Sequence, residues 1–386
     1  MKIGIDKIDF YTPPQYLDLV DLAHARQVDP NKYLIGIGQK KMAVAHLDQD
    51  IVAMAANAAE KILTPADKQA LGLVIVATES GVDQSKAAAL FVQQVLQLTT
   101  NLRAIEIKEA CYGATAGLQM AKDFVQCHPD KKALVVASDI ARYGLNSGGE
   151  VTQGAGAVAM IVSVDPHILA LEDQSIYQSQ STGDFWRPNY STEAFARGKY
   201  SEEVYLQMFS DIWQQASSQK MTQTEQLQAL LFHIPFSKMG RKGLKTLEDK
   251  LATADYQRLL QRFEQSIIYG QDVGNIYTGS LYLSLLSLLE NDSTLQVGDR
   301  IGLFSYGSGS VAELFFGQLQ PDFKKYLTPL VHQELLKQRK QLTLVEYENI
   351  FRQKLVTDGS TQKLSQSDCN APHYLTKIQD HERFYK

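Results

Sequence analysis

Glu109-Ala110-Cys111-Tyr112-Gly113-Ala114-Thr115-Ala116-Gly117 is the stretch on which the reading of this chain turns. An apparent strand, Ala104 to Ile107, runs into it. A series of small residues from Tyr112 to about Val125 leads out of it and predicts a closely packed helix. A thiol placed there faces unpaired backbone N–H groups and the positive end of the helix dipole. That setting favours the thiolate, the nucleophilic form of cysteine. A second reading stands beside the first, because free cysteine is among the most buried residue types and Cys111 would then be a packing residue.

Working outward, apolar runs alternate with helical patterns. Leu73-Val74-Ile75-Val76-Ala77 and Ala133-Leu134-Val135-Val136-Ala137-Ser138 are continuous apolar segments of the kind found in buried parallel strands. A helix is expected over about Ser85 to Leu96, and another over Asp48 to Leu63 with Asp48 as N-cap. Val28 to Gln39 reads as a loop with two glycines. Strands alternating with helices argue for an α/β layered fold.

The pattern then returns. Leu73 to Thr78 ends in Glu79, and Leu227 to Phe232 ends in His233, 154 residues later. Gly154-Ala155-Gly156-Ala157-Val158-Ala159 recurs as Gly307-Ser308-Gly309-Ser310-Val311-Ala312 after 153 residues. Cys111 has its counterpart in Asn275, which heads Ile276 to Tyr282. Three anchors in one order imply a duplicated unit. The expected division is residues 1–165, carrying Glu79 and Cys111, and residues 166–386, carrying His233 and Asn275 with inserted helices and a C-terminal tail.

Composition bounds the function. The chain has 386 residues, 44% of them hydrophobic and 21% charged, with a net charge of −5. It can bury a large core, and it has no general attraction for nucleic acid or an anionic membrane. Three cysteines without a CxxC pair give no disulfide framework and fit a reducing, cytoplasmic compartment. No signal-peptide block opens the sequence, and no run reaches ~18 apolar residues. HExxH and Walker motifs are absent, so neither metal nor nucleotide hydrolysis is expected. Both glycine turns fit G-x-G-x-x-A, but strands rather than helices follow them. That excludes the dinucleotide fingerprint and leaves close backbone approach to a substrate oxygen, or a plain turn.

Ligands of such sheets bind beyond the carboxyl ends of the strands. Glu79, Cys111, His233 and Asn275 all sit at strand ends or helix starts. A nucleophile, a carboxyl, an imidazole and an amide donor suit acyl transfer with carbon-acid chemistry. Taken singly, Glu79 fits a helix cap, His233 a core imidazole and Asn275 an N-cap. Lys238, Arg241, Lys242 and Lys245 lie at helical spacing and fit either a phosphate-binding face or a solvated one.

These residues, with EACYG at 109–113, SDIARYG at 138–144, DFWRP at 184–188, FHIPFSKM at 232–239, GNIYTGSLY at 274–282 and LVEYENIF at 344–351, resemble the 3-hydroxy-3-methylglutaryl-CoA synthase family in its bacterial form. The resemblance runs along nearly the whole chain. It implies a thiolase-like fold of duplicated βαβαβ halves in an α/β/α/β/α arrangement with pseudo-twofold symmetry. It also implies Cys111 as the acetyl-accepting nucleophile, Glu79 as general acid/base and His233 as the group polarising the acetoacetyl-CoA carbonyl. Asn275 would help to hold that substrate, the Cys111 and Ser308 N–H groups would form an oxyanion hole, and Tyr143 and Thr152 would line the pocket. Asp29, Ser201, Lys238 and Lys242 would bind substrate or the CoA moiety. Acetyl-CoA and acetoacetyl-CoA would be substrates, with no cofactor and no metal, in a homodimer. The rivals are a β-ketoacyl synthase III-like enzyme, which has no need of Glu79, and a non-catalytic CoA-thioester binder.

Overall fold

The computed structural model describes residues 1–223 and 226–386. Nine strands form one mixed sheet: β1 (Ile3–Tyr11), β2 (Leu71–Ala77), β3 (Arg103–Ile107), β4 (Lys132–Ala141), β5 (Gly154–Val164), β6 (Leu169–Ser179), β7 (Leu227–Phe232), β8 (Arg300–Gly307) and β9 (Val311–Leu319). Their order is β7-β8-β9-β6-β1-β5-β4-β2-β3. The seam is the antiparallel contact of β1 with β6, where Gly4 pairs with Ala170 and Ile5 with Leu169. A Cβ on Gly4 would lie 2.0 Å from the Leu169 carbonyl oxygen, so only glycine permits this crossing.

Outward from the seam the two sides follow the same pattern. On one side β1 pairs antiparallel with β5, β5 antiparallel with β4, and β4 parallel with β2. On the other, β6 pairs antiparallel with β9, β9 antiparallel with β8, and β8 parallel with β7. Strand β3, parallel to β2 at the far edge, has no equivalent. The repeat legible in the sequence is therefore a repeat of strand order and direction, the duplicated arrangement that the resemblance implies.

Helix α1 (Gly113–Cys127) is pressed between the halves, which explains its small residues. Gly113, Ala114, Thr115, Gly117 and Leu118 are buried. The Thr115 hydroxyl donates to Ser305 Oγ of β8 at 2.8 Å and shares a 2.8 Å hydrogen bond with the Tyr282 hydroxyl. Lys122 Nζ donates to the Glu172 carbonyl of β6 at 2.6 Å. Further helices are α2 (Gly198–Ser218), α3 (Ser237–Lys245), α4 (Ser280–Asn291) and α5 (Leu344–Arg352). One core packs around the parallel strands and α4, and a second brings Tyr205 and Phe209 of α2 onto Phe232, Phe263 and Phe304.

Several local expectations are corrected. The helix after Asp48 begins at Ile51, with Asp50 as its cap accepting from the N–H groups of Val52 and Ala53. Asp48 instead accepts from Ser367, far along the chain. Within the expected loop 28–39, Lys32–Ile37 winds into a π-helical turn. The C-terminal segment forms a hairpin, Leu375–Gln379 with Glu382–Tyr385.

Candidate active site

Parallel strands deliver their carboxyl ends to one region. Glu79 follows β2, Cys111 follows β3, Tyr143 follows β4 and His233 follows β7. Asn275 precedes the short turn that opens α4, and Ser308 lies in the hairpin between β8 and β9. A cavity of about 550 Å³ is lined by Cys111, Tyr143, Thr152, Ser201, His233, Asn275 and Ser308, among others. Behind Cys111 stands Glu79: the thiol donates to Glu79 Oε1 at 3.3 Å.

Each group is held by groups far away in sequence. The wholly buried Asp139 accepts from the Glu79 N–H at 2.9 Å, from Thr78 Oγ1 at 3.0 Å and from Ser80 Oγ at 2.9 Å. Its second oxygen accepts from Thr278 Oγ1 at 2.5 Å, in the other half of the chain. Asp184, equally buried, accepts from the Tyr306 hydroxyl at 2.7 Å, the Gly309 N–H at 2.9 Å, Thr182 Oγ1 at 3.0 Å and Ser201 Oγ at 3.2 Å. It thereby ties down the hairpin that carries Ser308. Gly307 lets this hairpin touch the cysteine turn, since a Cβ there would meet the Glu109 carbonyl and the Tyr112 N–H at 2.7 Å.

Two side chains that line the cavity keep buried nitrogens without partners among the described residues. Asn275 Oδ1 accepts from the Tyr277 N–H and from Ser280 Oγ, both at 2.9 Å, which turns its amide Nδ2 the other way. Nδ2 has no hydrogen-bond partner among the described residues, and neither has Nδ1 of His233. Both residues are nearly inaccessible, at 1% and 2% exposure, and a buried polar atom left unpaired costs about 1–3 kcal/mol. Such a cost marks a place built to receive an acceptor.

The electrostatics correct one expectation. Burial pushes the Cys111 thiol well up, and the nearby Glu79 and Asp139 push it further. The helix terminus does not yield a resting thiolate. Burial, then Asp139, also raises the Glu79 carboxyl, to about 8, against the lowering effect of Arg187. Burial takes His233 down to about 3, so its imidazole is neutral at pH 7. On Asp184 burial acts upward, but the bonds from Tyr306, Ser308, Gly309 and Thr182 outweigh it and keep the carboxylate below its usual range.

Of the eleven positions singled out in the sequence, eight converge here: Glu79, Cys111, Tyr143, Thr152, Ser201, His233, Asn275 and Ser308. Asp29, Lys238 and Lys242 do not line the cavity. Asp29 caps a local turn, accepting from the Asn31 N–H at 2.9 Å. Lys238 lines a second hollow of about 240 Å³ with Arg241 and Ile35. Lys242 pairs at 2.6 Å with Glu202, which lines the main cavity, so α3 flanks the mouth without entering it. Sequence reasoning missed Asp139 and Asp184. The motifs SDIARYG and DFWRP contained them, but no local signal says that distant donors collect on a carboxylate.

The chain matches two family models, described as hydroxymethylglutaryl-coenzyme A synthase N terminal over residues 1–167 and C terminal over residues 244–386. It is 53% identical to the hydroxymethylglutaryl-CoA synthase of Enterococcus faecalis over 358 residues, 93% of this chain and 94% of that protein. Among solved structures, an HMG-CoA synthase complexed with CoA superposes with a TM-score of 0.97 at 43% identity, covering 100% of this chain and 99% of the other. MvaS in complex with 3-hydroxy-3-methylglutaryl coenzyme A gives 0.89 at 35% identity, with the same coverage.

Proposed function

This chain belongs to the hydroxymethylglutaryl-CoA synthase family, and from that premise we propose that it condenses acetyl-CoA, acetoacetyl-CoA and water into 3-hydroxy-3-methylglutaryl-CoA and CoA through an acetyl-Cys111 intermediate. The observation that carries this reading is the 3.3 Å contact of the thiol with Glu79 in a cavity whose remaining donors, His233 and Asn275, lack partners among the described residues. Cys111 attacks the thioester of acetyl-CoA and expels CoA. Glu79, ionised, removes a proton from the acetyl methyl group. The carbanion attacks the ketone of acetoacetyl-CoA, whose oxygen His233 and Asn275 polarise. Glu79 returns the proton to the alkoxide, and water cleaves the enzyme thioester. Tyr143, Thr152 and Ser308 wall the acyl site. Ser201, Lys238, Lys242 and Asp29 serve the CoA portion at and around the mouth.

The carboxyl beside the sulfur favours this reaction over that of a β-ketoacyl synthase III-like enzyme, which uses no such group. Each half, 1–165 and 166–386, supplies two of the four reacting groups. The protein works without a cofactor, in the cytoplasm, as a homodimer. The edge strand β3, whose Ile105 is 40% exposed, is the natural contact between copies. No helix of the described residues is long and apolar enough to cross a membrane.

The test is incubation with both CoA thioesters, followed by product identification and intact mass. An acetyl adduct that Cys111→Ala abolishes, together with 3-hydroxy-3-methylglutaryl-CoA, is the expected result. An adduct with a different condensation product favours the β-ketoacyl synthase, and no adduct at all favours a simple binder.

A further inference from the structure

The stretch Asp184-Phe185-Trp186-Arg187-Pro188 forms part of a short two-stranded ribbon at the cavity, where Phe185 pairs with Ala196 and Trp186 with Phe195. Side chains alternate along such a ribbon. Phe185 lines the cavity, its ring 5.8 Å from that of Tyr143 and 5.9 Å from that of Tyr277. Trp186 turns outward and stacks on Phe195. Arg187 comes two residues after Phe185, and Pro188 behind it favours continued extended backbone, which puts Arg187 in register with Phe185 next to the cavity, though not among the residues that line it. It is half-buried, and its charge reaches both Glu79 and Tyr277. Its guanidinium has no hydrogen bond or ion pair with any described residue. The other charges acting on the Cys111–Glu79 pair are carboxylates: Asp139, Glu109 and Asp184.

The chemistry supplies a use for that cation, and the argument rests on the condensation reading above. Neither substrate carries a carboxylate at its acyl end. In the last step water attacks the acyl carbon held on Cys111, the C–S bond breaks, the sulfur takes up a proton, and the new carboxylic acid releases its own. A carboxylate thus forms beside Cys111, among carboxylates that repel it. We propose that Arg187 binds the carboxylate of 3-hydroxy-3-methylglutaryl-CoA as it is released from Cys111. A guanidinium suits a carboxylate because its paired N–H groups match the two oxygens.

The experiment compares two ligands that differ in this group. In a Cys111→Ala background, which prevents covalent chemistry, calorimetry measures the affinities for 3-hydroxy-3-methylglutaryl-CoA and for acetoacetyl-CoA. Arg187→Met is expected to weaken the first by about tenfold and the second by less than about twofold, and Arg187→Lys to recover most of the loss. Unchanged affinity for 3-hydroxy-3-methylglutaryl-CoA overturns the proposal. Equal weakening of both ligands overturns it as well, since Arg187 would then hold the thioester or the wall rather than the carboxylate. Acetylation of Cys111, followed in the wild type and in an Arg187→Met single variant, reads the condensation scheme separately. Its loss in the wild type would sink that scheme, whereas its retention beside indifferent binding sinks only the role of Arg187.

Discussion

Glu79→Gln is the sharpest perturbation of the proposed chemistry. Glutamine is nearly isosteric, and the Glu79 position is fixed through its backbone N–H on Asp139, so the cavity keeps its shape. What disappears is the proton carrier. A positioned general base contributes typically 10²–10⁴-fold, about 3–5.5 kcal/mol at 1.36 kcal/mol per decade. Acetyl transfer between two thiols remains available to water-assisted exchange, so acetyl-Cys111 still accumulates by intact mass. Condensation, followed as CoA released with acetoacetyl-CoA, falls by that factor, and deuterium no longer enters the acetyl methyl group from D2O. The pH dependence has a definite sign. The working form is the carboxylate, and the folded carboxyl is raised to about 8, so the wild-type condensation rate climbs as pH rises through about 8. The Gln variant lacks that limb. Linkage gives a second readout. A raised carboxyl contributes stability below its unfolded pKa that is lost as pH rises through the folded one, so Glu79→Gln should be more stable than wild type at pH 8 and equal to it near pH 4. Full turnover by the variant, with methyl exchange intact, would refute the assignment of Glu79.

Three further outcomes are expected. Gly307→Ala places a Cβ 2.7 Å from backbone atoms of the cysteine turn, so Cys111 acetylation should slow at least tenfold in a time course by mass, together with a lower Tm. His332 is buried, bonded at 2.9 Å to Asp9 and at 2.8 Å to Glu290; burial acts against its charge, but these partners carry its pKa up to about 8. Its stabilisation is therefore complete below about pH 6.5 and is lost as pH rises through about 8, with Lys61 on Asp9 and Tyr269 on Glu290 completing the cluster; denaturation curves of His332→Gln should lack that fall. Ile105→Glu on the open strand β3 should shift the sedimentation coefficient from dimer to monomer while leaving Cys111 acetylation measurable.

The sequence made the parallel strands legible because burial on both faces writes itself as unbroken apolar runs. Thus β7 was readable from Leu227 to Phe232, and α1 from its small residues. The convergence of Glu79, Cys111, His233 and Asn275 was legible because duplication supplies equivalent positions in both halves. What escaped depends on distant partners. Asp50 rather than Asp48 caps its helix because residue 367 takes Asp48. The hairpin ending at Tyr385 is anchored by bonds from Arg383 and the Tyr385 hydroxyl to Asp50, more than 300 residues earlier. Asp139 and Asp184 look like ordinary acidic residues until the fold gathers hydroxyls and N–H groups around them.

The thiol shows how such long-range terms overrule a sound local argument. A helix N-terminus favours an anion by typically 0.3–1 kcal/mol, and by ~2 kcal/mol in buried geometries, which amounts to a pKa shift of about one unit or a little more. Against it stand the loss of hydration on burial and the charges of Glu79, Asp139 and Asp184. Each unit upward corresponds to 1.36 kcal/mol, and buried charges within a few ångströms exceed that readily. Burial and then Asp139 raise Glu79 as well, so the resting pair is a neutral thiol hydrogen-bonded to a carboxyl that ionises only above neutral pH. A site arranged this way holds its protons until an acyl group arrives. Acetylation of Cys111 then replaces the thiol beside Glu79 with a thioester, and leaves the carboxylate facing the carbon acid it is to deprotonate.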